Sequence, residues 1–254
     1  MADQVVSQLQ DRVLTVRMDR PEKKNALTRQ MYTALIAALQ QAEADSAARV
    51  ILITGTADCF TAGNDLQDFA NAAPGEPSVA IDYLKTLATV QKPVLAAVAG
   101  VAIGIGTTML LHCDLAYAAT SARFQLPFVN LGLCPEAGSS LLLPSLVGHH
   151  RAAELLFFGE PFTADTACML GIVNQVFSEQ ELLAAAMAKA QQLAQKPPSA
   201  LRTTKALLKR HSAGAVIEAM DNETRQFAAL LQGPEAKEAL TAFLQRRKPD
   251  FSKF

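Results

Sequence analysis

Glu136 is the residue of this sequence with the clearest capacity for catalysis. It is the only carboxylate in two glycine-marked stretches, GIGTT at 104–108 and LGLCPEAG at 131–138. One acid can take a proton from a carbon and return it elsewhere, whereas adding water across a double bond usually requires two acid or base groups. The number of carboxylates therefore favours isomerisation over hydration.

The first glycine stretch lies inside an uncharged run that only imitates a membrane span. Within residues 93–113, His112 is the one side chain that could carry a charge near neutral pH, and Gly100, Gly104 and Gly106 interrupt the run. The pattern predicts a buried strand, a glycine loop and a helix start. It matches neither a P-loop nor a dinucleotide fingerprint, because no Lys-Ser/Thr follows Gly106 and the third glycine is missing.

The composition is that of a globular chain without a strong field. The 254 residues are half hydrophobic, and 23 basic and 24 acidic residues leave a net charge of -1. This length allows one large domain or a domain with an appendage. The near-neutral balance does not attract nucleic acid or an anionic membrane, so we expect neither as a partner. The N-terminal residues contain no apolar block, which predicts a cytoplasmic protein without a secretory signal.

No metal centre or disulfide framework is expected. The four cysteines are widely scattered and form no C-x-x-C pair, which is typical of reduced thiols. Carboxylates and histidines do not cluster at ligand spacing, so we predict no metal. We expect His112 and the pair His149 and His150 to be core or surface side chains and not ligands or bases.

Strand-like and helical segments alternate along most of the chain, which predicts a mainly parallel α/β fold. Thr28 is a candidate N-cap, and Ser178-x-x-Glu181 has the form of a capping box. The predicted strands are Val13–Met18, Val50–Thr54, Val94–Val98, Leu115–Ala118 and Ile172–Phe177, and the predicted helices are 28–43, one after Ser178, 200–211, 215–231 and 235–247.

The pattern changes near Pro197, after which only helices are predicted. We therefore divide the chain into a core, residues 1–196, and a C-terminal helical region, residues 197–254. The apolar faces of these helices could cover the core or a neighbouring subunit. The segment from Asn71 to Pro77 is predicted to be a mobile loop.

Several short motifs occur in a specific order along nearly the whole chain. They are RPxxxxAL at 20–27, FxAGxDL at 60–66, KPVxAAVxG at 92–100, CDL at 113–115 and AxxxGxV at 167–173. Their order and spacing resemble the enoyl-CoA hydratase/isomerase family, also called the crotonase family. The resemblance implies a spiral of ββα turns, with a C-terminal helical region that forms homotrimers, often paired as a dimer of trimers.

The resemblance also implies an acyl-CoA thioester as substrate, with coenzyme A as part of that substrate and no separate cofactor. Two backbone N–H groups, by position those of Ala62 and Ile105, would hold the thioester oxygen. Such donors are needed because proton removal beside a thioester leaves an enolate oxygen. The positions expected to bind substrate are Lys23, Lys24, Ala26, Asn64, Asp65, Leu66, Phe128 and Leu133. For Asp65 we favour a supporting role in ordering its loop.

The departures from the hydratase pattern indicate the reaction. Hydratases of the family carry two catalytic glutamates, and this chain has Thr108 and Phe128 at those places. Glu136 stands where hydratases usually have glycine, and LGxxPExxSS at 131–140 resembles the peroxisomal-type delta-3,delta-2-enoyl-CoA isomerases. Asn64, where hydratases tend to have alanine, agrees with this. The resemblance implies that Glu136 moves a proton from C2 to C4 of a 3-enoyl-CoA, with fatty-acid metabolism as the family's default pathway.

Other interpretations remain open at this stage. Within the family, the chain could be an unusual hydratase or catalyse another acyl-CoA reaction, such as dienoyl isomerisation. Glu136 could also be an exposed acid in the first turn of a helix. A third possibility is a non-catalytic scaffold that binds RNA or a protein partner. Its best basic cluster would be Lys196, Arg202, Lys205, Lys209 and Arg210.

Overall fold

The computed structural model of this chain describes residues 4–65, 78–245 and 247–254. Leu66 and the predicted loop from Asn71 to Pro77 lie outside these ranges. The strands are β1 Val5–Gln10, β2 Val13–Met18, β3 Val50–Thr54, β4 Cys59–Thr61, β5 Val94–Val98, β6 Val101–Ile103, β7 Leu115–Ala119, β8 Arg123–Gln125, β9 Phe162–Thr163 and β10 Gln175–Phe177. The helices are α1 Arg29–Ala44, α2 Val79–Thr89, α3 Ile105–Thr108, α4 Ser139–Val147, α5 His149–Phe158, α6 Ala164–Met169, α7 Glu179–Ala194, α8 Pro198–Lys209, α9 Ala213–Leu231 and α10 Pro234–Leu244.

The described strands form two sheets. The larger has six strands in the order β1-β2-β3-β5-β7-β10, and the smaller has four in the order β4-β6-β8-β9. β1 and β2 are an antiparallel pair, and every other pairing in the larger sheet is parallel. β3, β5 and β7 are each followed by a short strand of the second sheet. This repeat is the ββα spiral that the resemblance implies, so the predicted fold is confirmed.

The sequence patterns locate most elements to within a few residues. Thr28 caps α1 as predicted, because its Oγ1 accepts the Met31 N–H at 3.2 Å. Ser178 is the N-cap of α7, but its hydroxyl donates to the Glu181 carboxylate at 2.6 Å and caps no backbone N–H. The last predicted strand begins later than expected, at Gln175, because the N–H groups of residues 172 and 173 turn back to the Ala167 carbonyl at 2.9 and 3.3 Å.

Both faces of the larger sheet are covered. Alternate strand residues, including Val50 and Leu52, pack against α7, because successive side chains of a strand point to opposite faces. The buried residues of α7 are Leu182, Ala186, Ala190 and Ala194. Their spacing of four places them on one side of the helix, and three alanines allow a close approach to the sheet. The other face of the sheet joins a larger core that includes α1.

The C-terminal helices pack on the core of their own chain. Val216 and Met220 of α9 and Ala236 of α10 belong to the same apolar cluster as the sheet and α1. Lys205 of α8 is buried, and its Nζ donates to the Asp114 carboxylate and to the Lys92 carbonyl, both at 2.7 Å. Of the two docking modes left open by the sequence, packing on the core is therefore present, and contact with a neighbouring subunit stays a prediction. No helix in the described ranges is both long and apolar enough to span a bilayer.

We expect Lys205→Met to destabilise the protein. The substitution leaves the Asp114 carboxylate with the Val94 N–H at 2.8 Å and without its cation. Removing one partner of a buried ion pair costs roughly 3 kcal/mol at the lower end of the usual range, and we expect that lower value because the Asp114 side chain is 24% exposed. The measurement is the free energy of unfolding in urea. Arg202→Met, an exposed position on the same helix, is the control, and equal stabilities of the two variants would contradict the prediction.

Candidate active site

Glu136 lies on the turn that leads into α4, and its side chain is buried. The residue is 6% exposed, and its Oε1 has no hydrogen-bond partner among the described residues. A buried polar atom without a partner costs on the order of 1–3 kcal/mol. The interpretation of Glu136 as an exposed helix-end acid is therefore wrong. The hydrogen-bonding capacity of Oε1 is therefore left unused by the described residues.

The surroundings make this carboxyl hard to ionise. Burial, and to a smaller extent the nearby Glu223 carboxylate, raise the pKa of Glu136 to about 8, because a low-dielectric environment disfavours the charged form. Phe128 and Leu133, two of the positions expected to bind substrate, are buried, and the Leu133 N–H donates to the Phe128 carbonyl at 2.9 Å. Leu141 and Leu142 are partly buried and pack against the same core.

The backbone after Glu136 adopts an uncommon conformation. Ala137 and Gly138 are both left-handed, with φ of 66° and 67°. For alanine this costs about 1–2 kcal/mol, so the surrounding structure has to hold it. His112 contributes, because its Nε2–H donates to the Ala137 carbonyl at 2.7 Å. Burial lowers the pKa of His112 to about 4, which keeps the ring neutral. His112 is a satisfied core residue, as predicted.

A second buried acid near Glu136 was missed by the sequence analysis. Glu223 of α9 is 7% exposed, and its carboxylate accepts the N–H groups of Gly138 at 2.6 Å and Ser140 at 2.9 Å. Burial raises the pKa of Glu223, and these hydrogen bonds oppose the rise. One signal was present in the sequence. Glu223 follows Val216 by seven residues and Met220 by three, which places an acid on the apolar face of the predicted helix.

The two predicted oxyanion donors differ in whether another group already accepts their N–H. The Ile105 N–H follows Gly104, which has φ of 57°, and has no acceptor among the described residues. The Ala62 N–H, in contrast, donates to the Lys24 carbonyl at 2.9 Å, so it is not free to bind a substrate oxygen. The N–H of Asn64, two residues later, has no acceptor in the described part of the chain.

Close packing brings the Asn64 and Ile105 loops together. A Cβ on Gly63 would lie 2.8 Å from the Ile103 carbonyl oxygen, so only glycine allows this approach. The Asn64 side chain is fixed as well, because its Oδ1 accepts a short hydrogen bond from the Tyr32 hydroxyl. These contacts make Asn64, and not Ala62, the available partner of Ile105.

Asp65 has the supporting position that we favoured from the sequence. Its carboxylate pairs with Arg20 Nη1 at 2.6 Å, and both side chains are largely buried. The same Nη1 donates to the Ala26 carbonyl at 2.9 Å. Asn25, which is buried, donates from Nδ2 to the carbonyls of residues 59 and 60 at 2.7 and 3.1 Å. The 20–27 loop and the 59–65 loop are therefore fixed to each other.

The remaining predicted positions differ in accessibility. Lys23 and Lys24 are exposed at the end of a short 3₁₀ turn, and Ala26 is half-buried. Thr108 is fully buried, and its Oγ1 has no hydrogen-bond partner among the described residues. Within those residues, no group of three His, Cys, Asp or Glu side chains is placed to hold a metal ion.

The basic cluster proposed for an RNA-binding scaffold is only partly accessible. Lys205 is buried in its ion pair with Asp114, and the Lys209 Nζ donates to the His112 carbonyl at 3.2 Å. Lys196, Arg202 and Arg210 remain exposed. The two lysines dock α8 onto the core, so they do not form an open basic surface.

Comparisons with known proteins identify the family of this chain. The family model described as enoyl-CoA hydratase/isomerase matches residues 8–253. A crystal structure of an enoyl-CoA hydratase/isomerase from Pseudoalteromonas atlantica T6c is 42% identical, covers 98% of this chain and 100% of its own, and superposes with a TM-score of 0.94. The 2,3-dehydroadipyl-CoA hydratase of Escherichia coli K12 is 34% identical, with 99% of each chain covered.

A rat relative, Enoyl-CoA delta isomerase 2, is 33% identical over 92% of this chain. This chain spans only 62% of the rat protein's length. Relatives of this similarity thus include an isomerase and a hydratase. Because the family model matches nearly every residue and the ββα spiral is present, the chain belongs to the enoyl-CoA hydratase/isomerase family of enzymes.

Proposed function

We propose that this protein is an enoyl-CoA isomerase that shifts the double bond of an acyl-CoA thioester from C3 to C2. The observation that carries the proposal is the buried Glu136 carboxyl, whose Oε1 has no hydrogen-bond partner in the described part of the chain. Thr108 and Phe128 occupy the positions of the two hydratase glutamates. One acid with two tasks suits a proton transfer within one substrate.

In the proposed mechanism, ionised Glu136 removes a proton from C2 of a 3-enoyl-CoA. The electron pair of the broken C–H bond forms the C1–C2 double bond of a dienolate, and the negative charge moves to the thioester oxygen. The N–H groups of Asn64 and Ile105 stabilise that oxygen. Glu136 then returns the proton to C4, the double bond forms between C2 and C3, and the thioester carbonyl is restored. No water is consumed and no cofactor is required.

The exposed lysines fit the recognition of coenzyme A. Lys23 and Lys24 carry their charge on the 20–27 loop, which the Arg20–Asp65 ion pair fixes to the Asn64 loop. We propose that these lysines bind the phosphates of coenzyme A while the loop presents the thioester to Asn64 and Ile105. The family's trimeric or hexameric assembly, a cytoplasmic location and a role in fatty-acid metabolism complete the proposal.

Hydration of a 2-enoyl-CoA is the second candidate, because the Escherichia coli relative is named as a hydratase. That reaction would need a second acid or base group. Neither Thr108 nor Phe128 can supply one. The two oxygens of the Glu223 carboxylate are taken up by the N–H groups of Gly138 and Ser140, so isomerisation is the better account of this site.

We expect Glu136→Gln to lose isomerase turnover by roughly a hundred- to ten-thousandfold, the usual effect of removing a general base. Gln keeps the size of the side chain and cannot accept the C2 proton. The assay follows the formation of 2-enoyl-CoA from 3-enoyl-CoA. Glu154→Gln, which changes an exposed acid of α5, is the control and should keep full activity.

Two outcomes would contradict the proposal. Full activity of Glu136→Gln would exclude Glu136 as the base. Consumption of 2-enoyl-CoA by the wild-type protein, with no conversion of 3-enoyl-CoA, would identify a hydratase.

We expect kcat/KM of the wild-type isomerase to rise with pH and to level off above about 8, because only ionised Glu136 is a base and its pKa is about 8. At pH 7 roughly a tenth of the free enzyme would be ionised at this residue. A profile that is flat between pH 6 and pH 9 would contradict this assignment.

The same titration predicts a pH dependence of stability. The pKa of Glu136 is raised from 4.5 to about 8 on folding, so the folded state binds the proton more tightly than the unfolded state. The resulting stability is fully present below pH 4.5 and is lost as the pH rises through about 8. We expect the melting temperature of wild type to fall relative to that of Glu136→Gln between pH 5 and pH 9. A parallel pH dependence of the two proteins would contradict the prediction.

A further inference from the structure

The inward face of α9 lies directly on the Glu136 turn. The buried residues of this helix are Val216, Met220 and Glu223, which are spaced by four and three positions and share one face. A Cβ on Gly138 would lie 3.4 Å from Val216 and 3.6 Å from Met220. The helix therefore packs against the backbone that immediately follows Glu136.

Glu223 provides the polar contacts on this face. One carboxylate oxygen accepts the Gly138 N–H at 2.6 Å, and the other accepts the Ser140 N–H at 2.9 Å. These N–H groups belong to the first turn of α4 and its N-cap, where no earlier residue of the helix can accept them. Gly138 itself cannot cap the helix with a side chain, so an acid from a distant helix takes this role.

His112 also contacts this turn, through the Ala137 carbonyl. Its Nε2–H donates to the Ala137 carbonyl at 2.7 Å, so the two left-handed residues are fixed by one donor and one acceptor from different parts of the fold. The Glu136 carbonyl also accepts the Ser139 N–H at 3.1 Å. Without Glu223, two buried or partly buried N–H groups would lose their acceptor, and the strained backbone would lose one of its two side-chain supports.

We propose that Glu223 is a positioning residue for the isomerase: its carboxylate holds the left-handed Ala137–Gly138 turn that aims the Glu136 carboxyl, and its charge lies next to that carboxyl. This inference rests on the proposed function of Glu136. Glu223 acts through Glu136 and need not touch the substrate.

The two acids have different surroundings, and the difference assigns their charges. Glu223 receives two backbone hydrogen bonds, which favour its ionised form, whereas Glu136 Oε1 receives none from the residues that the structure describes. Glu223 therefore ionises first, and its charge opposes ionisation of Glu136. His112 and Cys134 also lie at this turn. His112 is neutral and burial raises the pKa of Cys134, so neither offsets the charge of Glu223. The Lys209 cation donates to the His112 carbonyl at 3.2 Å.

The test compares Glu223→Gln and Glu223→Asp with wild type. Gln removes the charge but keeps the length of the side chain, and Asp keeps the charge but shortens the reach to Gly138 and Ser140. We expect Glu223→Gln to lower kcat tenfold to a hundredfold, the usual cost of a misplaced catalytic group, with KM changed less than about twofold. The midpoint of the kcat/KM pH profile should move to lower pH. Glu223→Asp should lower kcat and keep the alkaline midpoint.

Asp221→Asn is the matched control. Asp221 lies on the same helix, and its exposed carboxylate pairs with Lys85 at 2.5 Å, away from the Glu136 turn. It should leave kcat and the midpoint unchanged. If Glu223→Gln folds and keeps both wild-type values, the inference is overturned. If Glu223→Gln does not fold, Glu223→Asp decides, and wild-type kcat in that variant also overturns it.

A measurement without substrate separates this inference from the proposed function. The carboxyl ¹³C shift of Glu136 can be titrated in wild type and in Glu223→Gln, with Glu136→Gln to assign the signal. A lower pKa of Glu136 in Glu223→Gln supports the coupling even if wild type shows no isomerase activity, in which case only the proposed function fails. An unchanged pKa rejects the coupling even if wild type is an active isomerase.

Discussion

The burial of the Glu136 carboxyl, whose Oε1 receives no hydrogen bond from the described residues, is the constraint on which the candidate site depends. An acid in such a place is destabilising when it ionises, and the fold accepts this for Glu136 by tolerating a pKa of about 8. The raised pKa of Glu136 has a chemical use, because a carboxylate that regains its proton readily is a strong base. The left-handed Ala137–Gly138 turn is part of the same constraint, since it directly follows Glu136 and needs support from the surrounding structure.

Different elements of the fold position the Ile105 N–H, the Asn64 loop and the Glu136 turn. The smaller sheet and the glycine loop after β6 place the Ile105 N–H, and the ion pair between Arg20 and Asp65 fixes the loop that carries Asn64. The turn after Glu136 is held separately, by His112 from the core and Glu223 from α9. The candidate donors and the candidate base therefore come from different turns of the ββα spiral, and their relative position depends on the packing of the whole core.

Much of the fold could be predicted from the sequence, because hydrophobic periodicity and capping residues act locally. The strands from Val13, Val50 and Val94 and the helix capped by Thr28 were placed correctly for this reason. Glu136 was also identified, since it is the single acid between marked glycines. The sequence could not show that the Ala62 N–H is occupied, because its acceptor is the Lys24 carbonyl, a tertiary partner. Glu223 was missed for the same reason, as its partners are backbone N–H groups more than eighty positions earlier in the chain.

The position of α9 also bears on how the protein matures during synthesis. All of the described strands and Glu136 itself emerge from the ribosome before residue 213, where this helix begins. A nascent chain can thus form its sheets and glycine loops while the support from Glu223 is still missing. On our proposal, the base reaches its working geometry only when translation has passed this late helix. Incomplete chains would then be unable to remove a proton from an acyl-CoA thioester.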